Sequence, residues 1–320
     1  MFASRRRSKL FFPLVLSFLA SLLTPSVCPS APGPQQPPEP LSVPELKARA
    51  ESGDSAARFQ LAQFLLTASP AAPGFGLAVN WLRSVDGSNH YYEFILGYLY
   101  EQGRGVPQDY STAARYYEAA ALQGYAPAEN NLGSLYRHGL GVPKDFSKAF
   151  ELYLASARQA DPIAQFNLAL MYHNGCGVAR DDSEAARWFQ AAADQGQPAA
   201  QYYLGFFYFK GMGVPLDYQA AAHWITLAAE KGHPSAMRDL GYLYESGKGL
   251  PLNYVSAYVW YSRAVAGGDA PSLDRLKNLS QIMTRHQIDQ ADSLAFGPAI
   301  PTQRGPALSA LSLRAFFPSP

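Results

Sequence analysis

Two histidines and one cysteine are the side chains of this chain whose types and positions could support chemistry. His138 and His173 end two consecutive predicted helices, and imidazole nitrogens are common ligands of transition metals. A metal held by this pair is one hypothesis, and surface or partner-contacting histidines are the better interpretation. Cys176 stands where Arg, Leu, Met and Lys occur in equivalent segments, so we expect it to be exposed. It could be a reactive thiol, and a cysteine without a specific role is the simpler interpretation.

Sequence motifs with a defined catalytic mechanism are missing. No serine is followed three positions later by lysine, no Gly-x-Ser-x-Gly occurs, and no histidine directly precedes a glutamate. A phosphate-binding P-loop and a Cys-x-x-Cys pair are also lacking, and the recurrent glycine pairs lie between predicted helices rather than after a strand. We therefore predict no catalytic residue, no cofactor and no metal site.

The composition is that of a packed and nearly neutral protein. Hydrophobic residues make up 48% of the 320 residues and charged residues 16%, which is enough apolar material for an extended core. The formal net charge is +1 and no basic stripe follows the chain, so nucleic acid is not an expected partner. Because Cys28 lies at the edge of a targeting segment, no disulfide with Cys176 is predicted.

A repeat of 36 residues positions these side chains. A tyrosine precedes each glycine pair by three residues, a leucine precedes it by seven, and an Asp or Asn follows its first glycine by six. Several such columns, meaning equivalent positions that keep one residue type every 36 residues, predict an array of structural repeats. The glycine pairs are Gly103/Gly105, Gly139/Gly141, Gly175/Gly177, Gly211/Gly213 and Gly247/Gly249.

Each repeat is predicted to form two helices. Ala128, Leu132 and Tyr136 give the first helix one apolar face, and a glycine that recurs after the leucine predicts a close helix crossing. The Asp or Asn column supplies the N-cap of the second helix, and Asp181 with Glu184 has the shape of a capping box. The second helices place a large side chain between two small ones, which we interpret as a wedge. These trios are Ala113/Tyr116/Ala120, Ala149/Leu152/Ser156, Ala185/Trp188/Ala192, Ala221/Trp224/Ala228 and Ala257/Trp260/Ala264.

The ends of the array are predicted from weaker copies of the pattern. We expect about six helical pairs over residues 45–283, with the glycine loop of the first pair replaced by Ala68-Ser69-Pro70. Thr284 is a candidate N-cap for a capping helix over 284–296. The remainder, 297–320, returns to Pro, Gly and Ser and is predicted to be a disordered tail.

The N-terminal segment predicts the compartment. Four basic residues between Arg5 and Lys9 precede an apolar run that ends at Leu23 and is short for a membrane span. Residues 1–28 are therefore read as a secretory signal peptide, with an uncleaved N-terminal anchor as the alternative. The proline-rich linker at 29–44 is either a spacer or a trailing disordered leader. We expect a periplasmic or secreted protein, with a membrane tether if the leader is retained.

At the repeat columns the sequence resembles the Sel-1-like repeat family. The family pattern Ala-x-x-x-Leu-Gly-x-x-Tyr-x-x-Gly-x-Gly-Val-x-x-Asp-x-x-x-Ala-x-x-Trp-x-x-x-Ala is matched from Ala164 to Ala192, where Ala169 replaces the helix glycine. The resemblance covers about Ser55 to Leu276. Tetratricopeptide units differ, because they are about 34 residues long and lack this glycine loop. The resemblance implies an all-α fold, a right-handed α/α superhelix of helix-turn-helix repeats.

The resemblance also implies a function. Members act as adaptors or assembly factors, commonly in bacterial envelope, secretion, signalling or host-interaction systems and in eukaryotic protein quality control, and they share no catalytic residues. Some cysteine-rich members are linked with penicillin binding and β-lactam hydrolysis, but they carry paired cysteines in each repeat and this chain does not. We expect a non-enzymatic protein–protein interaction scaffold. A β-lactamase-like envelope hydrolase is the alternative, and a lumenal quality-control adaptor is a third option.

Aromatic side chains recur on the first helices opposite their apolar face. The first helix lines the concave surface of helical-pair solenoids, so these side chains could form a stripe that docks an extended peptide or a helix. In the other interpretation, the columns pack against the second helices, and burial of Phe166, Tyr202 and Phe206 would exclude a groove. The candidate partner-binding residues are Phe94, Tyr98, Phe166, Leu170, Tyr202, Phe206 and Tyr242, with Asn130, Ser134 and Arg238 in the same columns.

Overall fold

The computed structural model describes residues 41–85 and 89–296, and the regular secondary structure in these ranges is helical throughout. The predicted signal segment 1–28, most of the linker 29–44 and the tail 297–320 lie outside the described residues. The helices are α1 (Val43–Glu51), α2 (Ser55–Thr67), α3 (Phe75–Ser84), α4 (His90–Gln102), α5 (Tyr110–Ala121), α6 (Ala126–His138), α7 (Phe146–Arg158), α8 (Pro162–Asn174), α9 (Asp182–Asp194), α10 (Pro198–Lys210), α11 (Tyr218–Glu230), α12 (Pro234–Ser246), α13 (Tyr254–Ala266), α14 (Ser272–Ile282) and α15 (Arg285–Phe296).

The helices pack as a succession of pairs. From α4 to α13, each first helix packs most extensively against the second helix of its own repeat, and that second helix packs against the first helix of the next repeat. The prediction of a right-handed α/α superhelix with a period of about 36 residues is confirmed. Since one pair cannot cover its own apolar face, the core is continuous only because neighbouring repeats share it.

The N-cap residues fix the loop between the two helices of a repeat. The Asp181 carboxylate accepts from the backbone N–H groups of Ser183 and Glu184, as the spacing predicts, and the other repeats have an Asp or Asn cap at the same position. The backbone N–H of Asp181 donates to the carbonyl of Tyr172 at 3.0 Å, and this bond recurs in every complete repeat. The prediction of a capping box is therefore wrong. Because the N–H of Asp181 is already bonded, Glu184 accepts from Arg187 instead, at 2.6 Å.

The two glycines of each pair have different roles. Gly175 ends α8 in the left-handed conformation with φ of 67°, which terminates the helix. Gly177 has φ of 71°, and a β-carbon there would overlap the backbone of Phe146 and Ser147, in the first turn of the preceding second helix. The equivalent glycines at 141, 213 and 249 also meet the backbone of the preceding second helix. The second glycine thus allows two repeats to touch backbone to backbone.

The second helix crosses closely at the glycine inside the first helix, as predicted, but the large side chain at the contact is not in the predicted wedge column. Gly97 and Gly241 face the rings of Tyr117 and Tyr261. The buried wedge is therefore one residue after the predicted column. Helical spacing brings both columns equally close to the two alanines, and contact with the first-helix glycine selects the later one. The predicted wedges are only half-buried. The buried column is Tyr117, Tyr153, Phe189, Ile225 and Tyr261.

The ends of the array differ from its middle. Helix α1 begins at Val43, two residues before the boundary expected at 45, and Ser42 with Glu45 forms a capping box there. At the other end, Thr284 precedes α15 and exchanges hydrogen bonds with Gln287. None of the helices in the described ranges combines the length and the apolar character that crossing a bilayer requires.

Arg104 completes the first pair, which lacks a glycine loop. Its guanidinium donates to the backbone carbonyl of Leu66 at 3.0 Å and to that of Ala68, at the C-terminal end of α2. It also lies over the rings of Phe75 and Tyr98. Carbonyls at a helix end need donors, and here a side chain of the following repeat supplies them.

Candidate partner-binding site

The seven predicted stripe residues are all half-buried, so neither interpretation of the pattern describes the whole stripe. Phe94 packs against Tyr117 of α5 with ring centroids 5.8 Å apart, and Phe166 packs against Phe189 of α9 at 5.7 Å. These two rings extend the core, as the packing interpretation predicts. Tyr98 also packs against the cluster that contains Tyr117, and in addition it lies beneath the Arg104 guanidinium, from which its hydroxyl accepts a hydrogen bond at 3.4 Å.

A polar segment interrupts the stripe in the second complete repeat. Asn130 is buried, donates to Asn131 at 3.1 Å and accepts from Asn167 at 2.9 Å. These amides join the first helices of adjacent repeats. The stripe is therefore divided, with Phe94 and Tyr98 on one side and the aromatic side chains from Phe166 onward on the other.

The structure brings three of the predicted residues together in one pocket. Tyr202, Phe206 and Tyr242 contribute to a cavity of about 270 Å³ between α10 and α12. Arg238, which occupies one of the same columns, also lines it. The remaining wall residues were not predicted, and they are Phe209, Lys210, Ile225, Asp239 and Leu243.

A hydrogen-bonded network forms the polar side of this pocket. The Tyr202 hydroxyl donates to Asp239 at 3.1 Å, and Arg238 donates to Asp239 at 3.1 Å and to Asp269 at 2.9 Å. Burial raises the pKa of Asp239, while the adjacent Arg238 guanidinium opposes that change. The network ties α10, α12 and the loop after α13 together, which gives the pocket a fixed wall.

Two lysines add positive charge to the same surface. The Lys210 ammonium lies 5.5 Å from the centroid of the Phe209 ring, and that of Lys248 lies 5.4 Å from it. The sequence carries one signal for them. Neither position is a lysine in the other repeats. The positions equivalent to Lys210 are Gln102, His138, Asn174 and Ser246. Those equivalent to Lys248 are Arg104, Leu140, Cys176 and Met212.

His233 borders the pocket and caps α12. Its imidazole stacks on Tyr202 with centroids 4.7 Å apart, and its Nδ1 accepts from the N–H of Ala236 at 3.3 Å. Burial lowers the pKa of His233, and the nearby Asp239 carboxylate opposes that change. The cap requires an unprotonated Nδ1, so the folded protein favours neutral His233.

Acidification should therefore weaken this cap. Because the pKa of His233 is lower in the folded chain than its ordinary 6.5, the stabilisation is complete above pH 6.5 and is lost as the pH falls toward the folded-state value. We expect a loss of about 1 kcal/mol in the free energy of unfolding, the usual contribution of an N-cap. Urea unfolding at pH 7.5 and pH 5 measures it. His233→Asn, which places the cap used by Asn89 at this position, should remove that part of the pH dependence. An unchanged pH dependence would contradict the assignment.

The residues that first suggested chemistry lie apart from this pocket. His138 Nδ1 is 2.8 Å from the backbone oxygen of Ser134 in its own helix, and His173 Nδ1 is 2.7 Å from Asp182. Cys176 is half-buried rather than exposed, because it packs against a cluster that includes Tyr153 of the preceding repeat. Within 41–85 and 89–296, no three His, Cys, Asp or Glu side chains are grouped as a metal site would require.

Comparison with protein families identifies the repeats. A family model described as Sel1 repeat matches five consecutive segments, residues 90–125, 126–161, 162–197, 198–233 and 234–269. These matches cover more than half of the chain and follow the helical pairs from α4–α5 to α12–α13. The comparison with curated proteins gives no match.

Solved structures share this architecture. A protective antigen of uropathogenic Escherichia coli strains that displays an SLR fold is 27% identical, with a TM-score of 0.70 over 80% of this chain. This chain spans 56% of the length of that protein. A Sel1 repeat protein from Oxalobacter formigenes is 28% identical, with a TM-score of 0.64 over 73% of this chain and 96% of its own.

Proposed function

This chain belongs to the Sel1 repeat family, and on that basis we propose that it is a non-enzymatic scaffold that binds a partner protein through the first-helix surface of its repeats. Sel1 repeats typically form protein–protein interaction scaffolds. The observation that carries the proposal for this chain is the pocket between α10 and α12, where Tyr202, Phe206 and Tyr242 of the stripe meet.

The physical argument concerns surface that the array leaves accessible. Phe206 and Tyr242 are half-buried, so part of each ring faces the pocket rather than the core. Concave surface that combines aromatic side chains with a few fixed polar groups is typical of binding sites. An extended peptide or a helix from a partner could place a side chain in the pocket and continue along the neighbouring first helices.

The compartment is a further part of the proposal. The basic and apolar segments between Arg5 and Leu23 support export, which would place the array in the periplasm or outside the cell. An uncleaved leader would tether it to the membrane. Cell fractionation tests this, and recovery of the protein in the cytosol would contradict it.

Truncation of the two accessible rings should weaken partner binding without unfolding the array. We expect Phe206→Ala combined with Tyr242→Ala to weaken binding of peptides selected from a random displayed library at least about tenfold, because the loss of buried aromatic anchors dominates such interfaces. Calorimetric titration measures the affinity, and circular dichroism confirms the fold.

The matched control removes apolar side chains that lie elsewhere on the surface. Leu122 is 85% exposed and Ile163 53% exposed, so the double change Leu122→Ala and Ile163→Ala deletes apolar surface without touching the pocket. This variant should bind as the wild type does. Equal binding by the pocket variant, or a library that yields no binding peptide, would contradict the proposed function.

A further inference from the structure

We propose that the pocket between α10 and α12 binds an acidic peptide segment in which carboxylates flank an aromatic or long aliphatic side chain. The inference rests on the proposed function and adds the chemistry of the partner. Its basis is the combination of an apolar cavity with two ammonium groups that no carboxylate of the described residues neutralises.

The lysines are held by rings rather than by ion pairs. The Lys210 ammonium lies 5.8 Å from the Phe206 centroid and 5.5 Å from that of Phe209. The Lys248 ammonium lies within 5.7 Å of the centroids of Phe209, Tyr218 and Tyr242. Cation–π contacts position an ammonium but leave its charge unbalanced, so each lysine can still attract a carboxylate.

The other cations near the pocket are already paired. Arg238 donates to Asp239 and Asp269, and Arg275 lies 3.6 Å from Glu245. These two arginines face three carboxylates, those of Asp239, Asp269 and Glu245, so the paired groups keep one negative charge in excess, which the two lysines outweigh. The two lysines therefore set the sign of the local charge, and an anionic partner is complementary to it.

The cavity adds a requirement for an apolar group. Phe206, Phe209, Ile225 and Leu243 supply its apolar walls, and a volume of about 270 Å³ is small for an organic ligand but sufficient for one large side chain. A peptide can satisfy both demands, because neighbouring residues of an extended chain can present carboxylates to the lysines while one side chain enters the cavity.

Among the complete repeats, lysines at these two positions occur only at Lys210 and Lys248. The charged pocket would therefore determine which partner this chain binds, and it is not a general property of the repeat. Arg104 holds the position equivalent to Lys248, but its guanidinium donates to the carbonyls of Leu66 and Ala68. Polynucleotides are the competing anions, and the net charge of +1 does not favour them.

Selection from a displayed library of random 12-residue peptides tests the inference. Peptides recovered on the wild-type chain should share acidic residues next to an aromatic or long aliphatic residue. A synthetic peptide of the recovered sequence should bind about tenfold more weakly to the Lys210→Gln, Lys248→Gln double variant, as expected for the loss of close charge pairs. The same peptide with Asn and Gln for its acidic residues should bind both proteins equally weakly.

The control and the contrary outcomes separate this inference from the proposed function. Lys144→Gln removes a lysine that also lies over a ring, that of Phe146 at 4.7 Å, but outside the pocket, and it should leave the affinity unchanged. Recovered peptides without acidic residues that bind the double variant normally would overturn the inference and leave the scaffold function intact. Tighter binding of oligo(dT) than of any peptide would also overturn it. Failure to recover any peptide would contradict the scaffold function itself.

Discussion

Alanine in place of Gly177 should lower the free energy of unfolding by about 3 kcal/mol or more and divide the array at this repeat. The left-handed backbone costs an alanine about 1–2 kcal/mol, and displacing a packed neighbour adds a comparable amount. The displaced neighbour is backbone, at Phe146 and Ser147, so a rotamer change cannot relieve the overlap. Because stability in a solenoid depends on the contacts between adjacent repeats, separation of two repeats should reduce the cooperativity of the whole array.

Urea unfolding followed by circular dichroism measures both effects, the second as a shallower or biphasic transition. The matched control is Gly232→Ala. Gly232 has φ of +85° with nothing near its missing β-carbon, and its column already contains an alanine, Ala160, at φ of 65°. We expect a cost of about 1 kcal/mol there, from the backbone conformation alone. Equal effects of the two substitutions would show that the contact between repeats contributes nothing.

Replacing Arg104 by methionine should release the first helices from the rest of the array. The side chain supplies charge-assisted hydrogen bonds to the carbonyls of Leu66 and Ala68, and such bonds contribute about 1.5–3 kcal/mol each. A methionine fits this position, as Met212 does in a sister repeat, but it donates no hydrogen bond. We expect a loss of about 3 kcal/mol that is confined to α1, α2 and α3.

Hydrogen exchange measures this local loss, since amides in residues 43–84 should exchange faster while those in 90–269 keep their protection. Lys248→Met is the matched control, because Lys248 stands in the same column but contacts rings rather than carbonyls at a helix end. It should leave the protection of residues 43–84 unchanged. Unaltered exchange in the Arg104→Met variant would mean that α1–α3 dock by apolar packing alone.

The scaffold interpretation and these stability predictions depend on the same contacts. The hydrogen bond from Tyr202 to Asp239 and the contact of Gly249 with α11, which join two successive repeats, also bring Phe206 of one repeat next to Tyr242 of the following one. A substitution such as Gly249→Ala, whose β-carbon would meet the backbone of Tyr218 in α11, would therefore be expected to disturb a binding surface as well as the core. Variants of the pocket rim, in contrast, change side chains that contribute less to the shared interior.

Local sequence was sufficient to predict the helices and their ends. The Asp and Asn caps, the left-handed glycine at the end of each first helix and the apolar columns act within one or two turns of backbone, so their spacing predicts them directly. Repetition of these signals predicted the solenoid, because a helical pair with one uncovered face must stack on another. The capping box at Asp181 failed for a tertiary reason, since the N–H that Glu184 would have bonded is used by Tyr172.

Only the tertiary structure decided which side chains meet across repeats. Helical periodicity leaves a choice between adjacent columns such as Tyr116 and Tyr117, and the separation of packed helices selects the buried one. The same separation decides how far the stripe aromatics are covered. Lys210 and Lys248 lie in different repeats, so their approach to one Phe209 ring depends on the superhelical geometry, and no local pattern records that geometry.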